Sequence, residues 1–394
     1  MTAERRPAGD HVPTIHWQEG ETSHSARWRS EAGVAPPSRV QVADDSLTAD
    51  TAFRHACGGT ALLWRGDFQN ARQLLQAIAR RVDRATDKPP KRTKVGKTPL
   101  APVDAFHRYR MQQAQRARIL GMLLIPFTAD HAIPLRRAPD VRAACSEAYG
   151  AVSEDYVASL RELLGLIGAH EWRRNGVEVS ALAARIHPHY GVFAPVRGEY
   201  VALVAETPLP ATVARNSVAF DVGTGTGVLA AVLARRDIAR VIATDQDPRA
   251  LACARENLQR LGLDAQVEVV GADLFPPGRA PLIVCNPPWV PARPASPLQH
   301  AVYDLDSRML HGYLDGLAAH LEPGGEGWLI LSDLAEHLGL RPRSDLSSWI
   351  ENAGLGVLGR HDVLPTHPRV ADRSDALHAA RAAEITSLWR LGVR

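Results

Sequence analysis

The sequence predicts an α/β protein of two domains, the second of which is built on a doubly wound parallel sheet. The chain has 394 residues, which is more than a single hydrophobic core usually holds. From residue 186 onward, short apolar runs alternate with segments of helical spacing. That alternation is typical of parallel strands joined by helices on both faces of a sheet. A glycine-rich turn after the first strand of this region adds a candidate ligand-binding loop.

Three segments are expected along the chain: a disordered tail in residues 1–45, an N-terminal α/β domain in residues 46–185 and the parallel-sheet domain in residues 186–394. The tail is rich in Pro, Gly, Ser and charged residues and has no hydrophobic period. The N-terminal domain has no intact glycine loop, so we interpret it as a structural or substrate-presenting domain. Its predicted elements are strands at Ala61–Trp64 and Met122–Phe127, helices at Phe68–Arg81, Asp104–Ile119, Pro139–Tyr149 and Tyr156–Ile167, and a hairpin within Val177–Phe193.

The second domain alternates regularly between extended and helical segments. Its predicted strands are Val218–Val222, Val241–Thr244, Gln266–Val270, Leu282–Cys285 and Trp328–Leu331. Helices are predicted from Val228, over Arg249–Leu261, near Leu310–His320 and near Leu346–Asn352. The last two extended runs, Val357–Val363 and Ile385–Leu391, are expected to form an antiparallel pair that closes the sheet.

Composition excludes several classes of protein. The four cysteines are far apart in the sequence and form no CxxC pair or Cys/His cluster, so we expect no disulfide framework and no metal site. The N-terminus has no apolar signal segment, and no run approaches the ~20 apolar residues of a membrane helix. We therefore expect a cytoplasmic protein without a membrane partner. The formal net charge of +3 is too small to require a nucleic-acid partner.

The glycine loop favours S-adenosylmethionine as the cofactor. The first strand ends at Asp221-Val222 and runs into Gly223-Thr224-Gly225-Thr226-Gly227, which lets the backbone approach a ligand closely. The spacing is G-x-G-x-G, whereas dinucleotide enzymes usually have G-x-G-x-x-G. Asp221, two positions before the first glycine, can help orient the ammonium group of S-adenosylmethionine, but it would repel a pyrophosphate.

Two further carboxylates complete the predicted cofactor site. Asp245 ends the second strand about 20 residues after the loop, where it can accept hydrogen bonds from both ribose hydroxyls. A helix cap is the alternative role for Asp245, but Asp247 before Pro248 suits that role better. Asp273 follows the third strand and can accept from the adenine amino group, while Leu274 can pack on the adenine ring. A surface turn is the alternative interpretation of Asp273.

Asn286, Pro287, Pro288 and Trp289 follow the fourth strand and are the predicted catalytic residues, with Asn286 also beside the cofactor. Open α/β sheets bind ligands outside the carboxyl ends of their strands. The Asn286 side-chain oxygen and the Pro287 carbonyl can accept both hydrogens of one amino group, and Trp289 offers a flat face. An sp2 nitrogen is a poor nucleophile, and two acceptors direct its lone pair toward a methyl donor. The motif therefore predicts methylation of a planar nitrogen without a metal.

Residues 186–394 resemble the Rossmann-like methyltransferases that carry an N-P-P-aromatic motif, in particular the release-factor glutamine N5-methyltransferase group. Arg197-Gly198-Glu199 is similar to that family's Arg-Pro-Glu element, and the segment from Leu310 to Leu317 is also similar. The resemblance implies a seven-stranded methyltransferase sheet and substrate-binding roles for Arg197 and Glu199. It also implies that the asparagine and first proline of the motif hold a glutamine amide. The family usually has tyrosine at the position of Trp289.

The sequence leaves the methyl acceptor open. The same motif marks adenine-N6 and guanine-N2 methyltransferases of DNA and RNA. Some ribosomal-RNA guanine enzymes carry a degenerate copy of the fold before the catalytic domain, and a degenerate Rossmann-like copy is the alternative interpretation of the N-terminal α/β domain. We expect a nucleic-acid base, of RNA rather than DNA, ahead of a protein glutamine or a small metabolite. A fold kept only as a binding module is the non-enzymatic alternative. Nothing in the sequence indicates the oligomeric state.

All the lysines of the chain lie in one Pro-containing segment, at Lys88, Lys91, Lys94 and Lys97. An unselected solvated loop is one interpretation. The other is a basic arm that contacts phosphates, together with the arginine-bearing helix that follows. The arginines of that helix are Arg108, Arg110, Arg116 and Arg118.

Overall fold

The structure is a computed structural model, and it describes residues 13–86, 100–214, 217–294, 297–366 and 370–394. The described residues divide into two compact units: those within 1–97 and 110–170 form one, and those within 98–109 and 171–394 form the other. Within these ranges, no helix is long and apolar enough to cross a membrane.

The first unit is a six-stranded mixed sheet with helices between its strands. Its strands are β1 (Thr14–Glu19), β2 (Thr22–Trp28), β3 (Val40–Ala43), β4 (Ala61–Trp64), β5 (Leu123–Phe127) and β6 (Tyr156–Ser159). The helices are α1 (Ala49–Cys57), α2 (Phe68–Thr86), α3 (Pro102–Leu120), α4 (Arg142–Tyr149) and α5 (Leu160–Asn175), of which α3 and α5 also contain residues of the second unit. The strand order is β1-β2-β6-β5-β4-β3. Strands β4 and β5 are buried along their whole length because helical segments flank them in the chain and cover the sheet.

The predicted disordered tail is wrong for the residues that the structure describes, which form strands from Thr14 onward. Strands β1 and β2 pair as a hairpin, and β2 then pairs with β6, so sheet hydrogen bonds satisfy this backbone. Ile15 is fully buried, and the indole N–H of Trp28 donates to the Val34 carbonyl at 2.6 Å. Two buried apolar side chains and a paired backbone are enough to order a polar segment.

The predicted helix over Tyr156–Ile167 is also wrong at its start. Residues Tyr156–Ser159 form β6, which pairs antiparallel with β5, and the helix begins only at Leu160. A short buried apolar run does not distinguish a strand from a helix by its period alone. These four residues form a strand and not a helix because β6 lies between β2 and β5 in the sheet and pairs with both.

The second unit is a seven-stranded sheet with helices between its strands. After a small hairpin of β7 (Val177–Val179) and β8 (Ala184–Ile186), its strands are β9 (Val218–Val222), β10 (Arg240–Asp245), β11 (Val267–Gly271), β12 (Ala280–Cys285), β13 (Leu321–Ser332), β14 (Leu355–Val363) and β15 (Thr386–Val393). The helices are α6 (Gly198–Glu206), α7 (Val228–Arg235), α8 (Pro248–Arg260), α9 (Arg308–His320), α10 (Leu334–His337), α11 (Arg343–Asn352) and α12 (His378–Ala383).

The sheet of the second unit has the order β11-β10-β9-β12-β13-β15-β14. Strand β15 runs in the direction opposite to the other strands of this sheet and pairs antiparallel with both β13 and β14, so the predicted antiparallel closing pair is confirmed. The hairpin within Val177–Phe193 is confirmed as well. Each face of the sheet carries its own buried apolar cluster, one packed with α7 and the other with α9 and α11. Core residues on both faces explain the nearly continuous apolar runs of β9 and β12.

Candidate active site

The glycine loop and the N-P-P-W segment begin side by side at the carboxyl edge of the sheet. Strands β9 and β12 are parallel neighbours, and their last residues, Val222 and Cys285, are partners in the register. Gly223 and Asn286 are therefore the next residues of adjacent strands. The chain order also reverses here, because β9 connects to β10 on one side while β12 lies on the other. Ligands of open α/β sheets bind at this kind of crevice.

Backbone hydrogen bonds fix the glycine loop on strand β10. The amides of Gly223 and Thr224 both donate to the carbonyl of Thr244, at 2.9 and 2.8 Å. Gly225 has a φ of +55°, and apart from its chain neighbours no atom of the described residues lies within 4 Å of the position that a Cβ would take. Glycine adopts this backbone readily, and the space beside it stays open for a ligand. Thr226 is buried, and its carbonyl accepts from Asn257 at 3.0 Å.

Asp221 lies beneath the loop and is only 1% exposed. Its Oδ2 accepts from the Thr224 hydroxyl at 2.6 Å and from the Ala230 amide at 3.0 Å. Its Oδ1 is buried and has no hydrogen-bond partner among the described residues. Burial raises the pKa of Asp221 to about 6, against the two hydrogen bonds that lower it. The carboxylate thus holds the loop with one oxygen, while its other oxygen is buried without a described partner.

Asp245 holds Gly225 of the same loop. Its Oδ2 accepts from the Gly225 amide at 3.0 Å, and its Oδ1 accepts from the Asp247 amide at 2.9 Å. Burial raises the pKa of Asp245 above its usual value. Asp247 is the N-cap of helix α8 and accepts from Arg249, with Pro248 at the first helical position. Capping is therefore done by Asp247, as the sequence suggested.

Asp273 and Leu274 have different surroundings from those of the other site residues. Asp273 is exposed and accepts from the Arg308 guanidinium at 3.1 Å. Leu274 has a φ of +76°, and its carbonyl accepts from the Thr244 hydroxyl. A side chain on Gly312 would meet Leu274 Cδ1 at 2.5 Å, so Leu274 packs onto helix α9. The segment is fixed in place, but an adenine partner for Asp273 stays a prediction.

The acceptor loop, residues Asn286–Trp289, contains an internal hydrogen bond that the sequence did not reveal. The indole N–H of Trp289 donates to the side-chain oxygen of Asn286 at 2.9 Å. Pro287 is buried, whereas Asn286, Pro288 and Trp289 are half-buried. An amide oxygen accepts at two positions, so Asn286 retains one for a further donor. Val290 anchors the end of the loop by pairing with the segment before helix α9.

Arg197 contacts the acceptor loop through Trp289, and Glu199 pairs with Arg197. The guanidinium carbon of Arg197 is 4.9 Å from the centre of the Trp289 ring, and its Nε donates to Glu199 at 2.8 Å. A second buried carboxylate, Glu384, accepts from the same guanidinium at 3.0 Å. Glu384 also accepts from the Ser332 hydroxyl at 2.7 Å. Sequence reasoning missed both Glu384 and Ser332, because neither belongs to a local motif.

Part of the chain is similar to known methyltransferases. Residues 184–343 match the family model of the methyltransferase small domain. Every site residue predicted from the sequence, from Arg197 to Trp289, lies inside the matched range. Glu384 lies outside it.

Individual relatives match this chain over part of their length. The release factor glutamine methyltransferase of Cereibacter sphaeroides is 35% identical over 175 residues, which are 41% of this chain and 58% of the relative. The ribosomal protein L11 methyltransferase of Sorangium cellulosum is 29% identical over 209 residues, which are 48% of this chain and 60% of the relative. The chain thus spans less than two thirds of the length of either relative. A solved ribosomal protein L11 methylase from Lactobacillus delbrueckii is 17% identical, covers 53% of this chain and 85% of its own, and has a TM-score of 0.36.

Proposed function

We propose that the second unit transfers a methyl group from S-adenosylmethionine to a planar amino or amide nitrogen. The observation that carries the proposal is the register of β9 and β12, which starts the glycine loop and the acceptor loop on adjacent strands. A methyl donor in the first loop and a nitrogen in the second would then face each other across one crevice. The match to the methyltransferase small domain supports the same reaction.

The described residues fit the cofactor. Bound S-adenosylmethionine supplies an electrophilic methyl group on a sulfonium. The unpartnered Oδ1 of Asp221 would accept from its ammonium group, and the open space at Gly225 would admit a ligand against the backbone. Asp245 would accept from the ribose hydroxyls, which favours a charged carboxylate there. Asp273 and Leu274 would lie at the adenine end.

The acceptor loop would hold the target nitrogen by its hydrogens. Asn286 Oδ1 keeps one acceptor position besides the Trp289 indole, and the Pro287 carbonyl is a second acceptor. Two acceptors on one amino group turn its lone pair toward the methyl donor, and this orientation lowers the barrier to methyl transfer. Trp289 would stack on the planar group that carries the nitrogen.

We favour a protein glutamine amide as the acceptor. Relatives named release factor glutamine methyltransferase are 35% and 36% identical over 41% and 37% of this chain. A nucleic-acid base, adenine N6 or guanine N2, is the second candidate, on the strength of the lysine segment and the arginines of helix α3. The lysines lie outside the described residues, and Arg116 is engaged by Asp83 through two hydrogen bonds. Fewer free cations therefore remain on α3 than the sequence suggested.

The test is transfer of tritiated methyl from S-adenosylmethionine to a bacterial cell extract by the purified chain. A protein glutamine acceptor predicts label that protease removes and ribonuclease leaves. Label removed by ribonuclease would instead support a nucleic-acid base. The absence of label above that of an extract without the protein would contradict methyl transfer.

A further inference from the structure

A buried polar cluster lies behind the acceptor loop, made of Arg197, Glu199, Ser332 and Glu384. Glu384 is fully buried and follows helix α12, and Ser332 ends strand β13 at the carboxyl edge of the sheet. The Arg197 guanidinium donates to both acids, at 2.8 Å to Glu199 and 3.0 Å to Glu384. Two carboxylates from distant parts of the chain therefore fix the plane of one guanidinium.

The cluster connects to the acceptor loop through stacked and hydrogen-bonded groups. The fixed guanidinium of Arg197 lies 4.9 Å from the centre of the Trp289 ring. The same ring donates from its indole nitrogen to Asn286 Oδ1. An arginine held at two points stacks on an aromatic face in one orientation, which a lysine ammonium does not reproduce.

Stability alone does not account for Glu384. Its Oε1 accepts from Arg197 and Ser332, whereas its Oε2 is buried without a hydrogen-bond partner in the described parts of the chain. An unpaired buried carboxylate oxygen opposes folding, and a second acid on an arginine already paired with Glu199 adds to that cost. What Glu384 adds is a second fixed point for the guanidinium.

We propose that Glu384 is a positioning residue for methyl transfer, an inference that rests on the proposed function of the acceptor loop. Acting through Arg197, it sets the plane of Trp289 and thereby keeps Asn286 Oδ1 in the position that receives the target nitrogen. Glu384 touches neither the acceptor nor the cofactor in this role. Its loss should lower turnover and leave cofactor affinity unchanged.

The same sheet offers a matched control. Glu326 is also buried, accepts from the Arg390 guanidinium at 2.8 Å, and accepts from the indole N–H of Trp328 at 3.0 Å. It is thus a second buried glutamate paired with an arginine and lying beside a tryptophan, but it contacts the indole directly and lies on β13 level with Leu282, before the acceptor loop. E326Q and E384Q remove the same charge from comparable surroundings.

The experiment compares the wild-type chain with E384Q, R197K and E326Q, each checked for a cooperative thermal transition. Trp289 is followed by the exchange of its indole N–H with water in 15N-tryptophan spectra, assigned with W289F. E384Q should speed that exchange about fivefold or more, because Trp289 is less restrained. The saturating rate of methyl transfer to bacterial extract should fall about tenfold, with the half-saturating S-adenosylmethionine concentration within about twofold of wild type.

R197K keeps the positive charge and should give the same signature, so it carries the test if E384Q does not fold. E326Q should change the exchange of Trp328 and leave Trp289 and the transfer rate as in the wild type. Wild-type values for E384Q in both measurements, or equal losses of rate in E384Q and E326Q, would overturn the proposal. A wild-type chain that transfers no methyl would contradict the proposed function, and faster Trp289 exchange in E384Q would then support only the restraint of Trp289 by Glu384.

Discussion

The buried carboxyl of Asp221 should make the free energy of unfolding depend on pH, with a sign and a size that follow from its pKa. Burial raises its pKa from 3.8 to about 6, and no cation contributes to the shift. A carboxyl whose pKa is raised on folding stabilises the fold in its protonated form, and that stability is lost as the pH rises through about 6. Asp221→Asn removes the buried charge and leaves an amide oxygen for Thr224 and Ala230. The variant should therefore be more stable than the wild type, and increasingly so at higher pH.

The expected gain in the free energy of unfolding follows from the pKa shift of Asp221. A difference of about two pKa units corresponds to about 3 kcal/mol at pH 8 and to about 1.5 kcal/mol at pH 5. Urea unfolding at the two pH values measures it, with Asp264→Asn, an exposed position of the same unit, as the control. Asp221→Asn less stable than wild type at pH 8, or with the same gain at both values, would refute the assignment of a buried, unpaired charge.

Cofactor affinity should change in the opposite direction. The ammonium group of S-adenosylmethionine needs the charged form of Asp221, so wild-type affinity should fall roughly tenfold between pH 7 and pH 5. Burial also raises the pKa of Asp245, which adds to the same trend. Calorimetry on Asp221→Asn should show weaker binding at pH 7 and a flatter pH dependence. Unchanged affinity in this variant would remove Asp221 from the cofactor site.

Three further predictions concern Asp245, the glycine loop and the lysine segment. Asp245→Ala should weaken S-adenosylmethionine binding about tenfold to a hundredfold, because it removes charge-assisted hydrogen bonds; calorimetry with unchanged affinity would exclude the ribose role. Gly227→Ala should lower the thermal midpoint more than Gly225→Ala, since only at Gly227, with a φ of +81°, would the new Cβ meet a backbone atom at 3.2 Å. Gly225→Ala should instead lose more cofactor affinity, and a reversed order in the two assays would contradict this. If nucleic acid is the acceptor, alanine at the four lysines should flatten the log–log salt dependence of RNA binding by about three units; identical slopes would exclude a basic arm. Those lysines are Lys88, Lys91, Lys94 and Lys97.

The parts of the site that the sequence predicted are short runs at the ends of buried strands. The glycine loop and the N-P-P-W segment each follow a strand directly, so the parallel order of the strands brings them to one edge. Asp245 was predictable for the same reason, because it ends the strand that receives the loop. Local sequence determines these positions once the strands are recognised.

The parts that were missed depend on partners far along the chain. Arg197 and Glu384 are 187 residues apart, and neither residue's neighbours indicate the other. The sequence predicted disorder where β1 and β2 form, because these strands are held in place by the pairing of β2 with β6, which begins at Tyr156. Polar strands with few apolar residues gain their stability from such pairing, not from local propensity. Asp273 was placed by its position after a strand, but its ion pair with Arg308 comes from another helix.

Methyl transfer by the wild-type chain and by Asn286→Ala tests the central claim most directly. The assay follows tritium from S-adenosylmethionine into bacterial extract, with cofactor affinity measured on the same preparations by calorimetry. Asn286 is proposed to act on the target nitrogen, so the variant should lose about a hundredfold in rate and keep cofactor affinity within about threefold. A variant that transfers methyl at the wild-type rate, or that loses cofactor binding and keeps its turnover, would contradict the role of the acceptor loop.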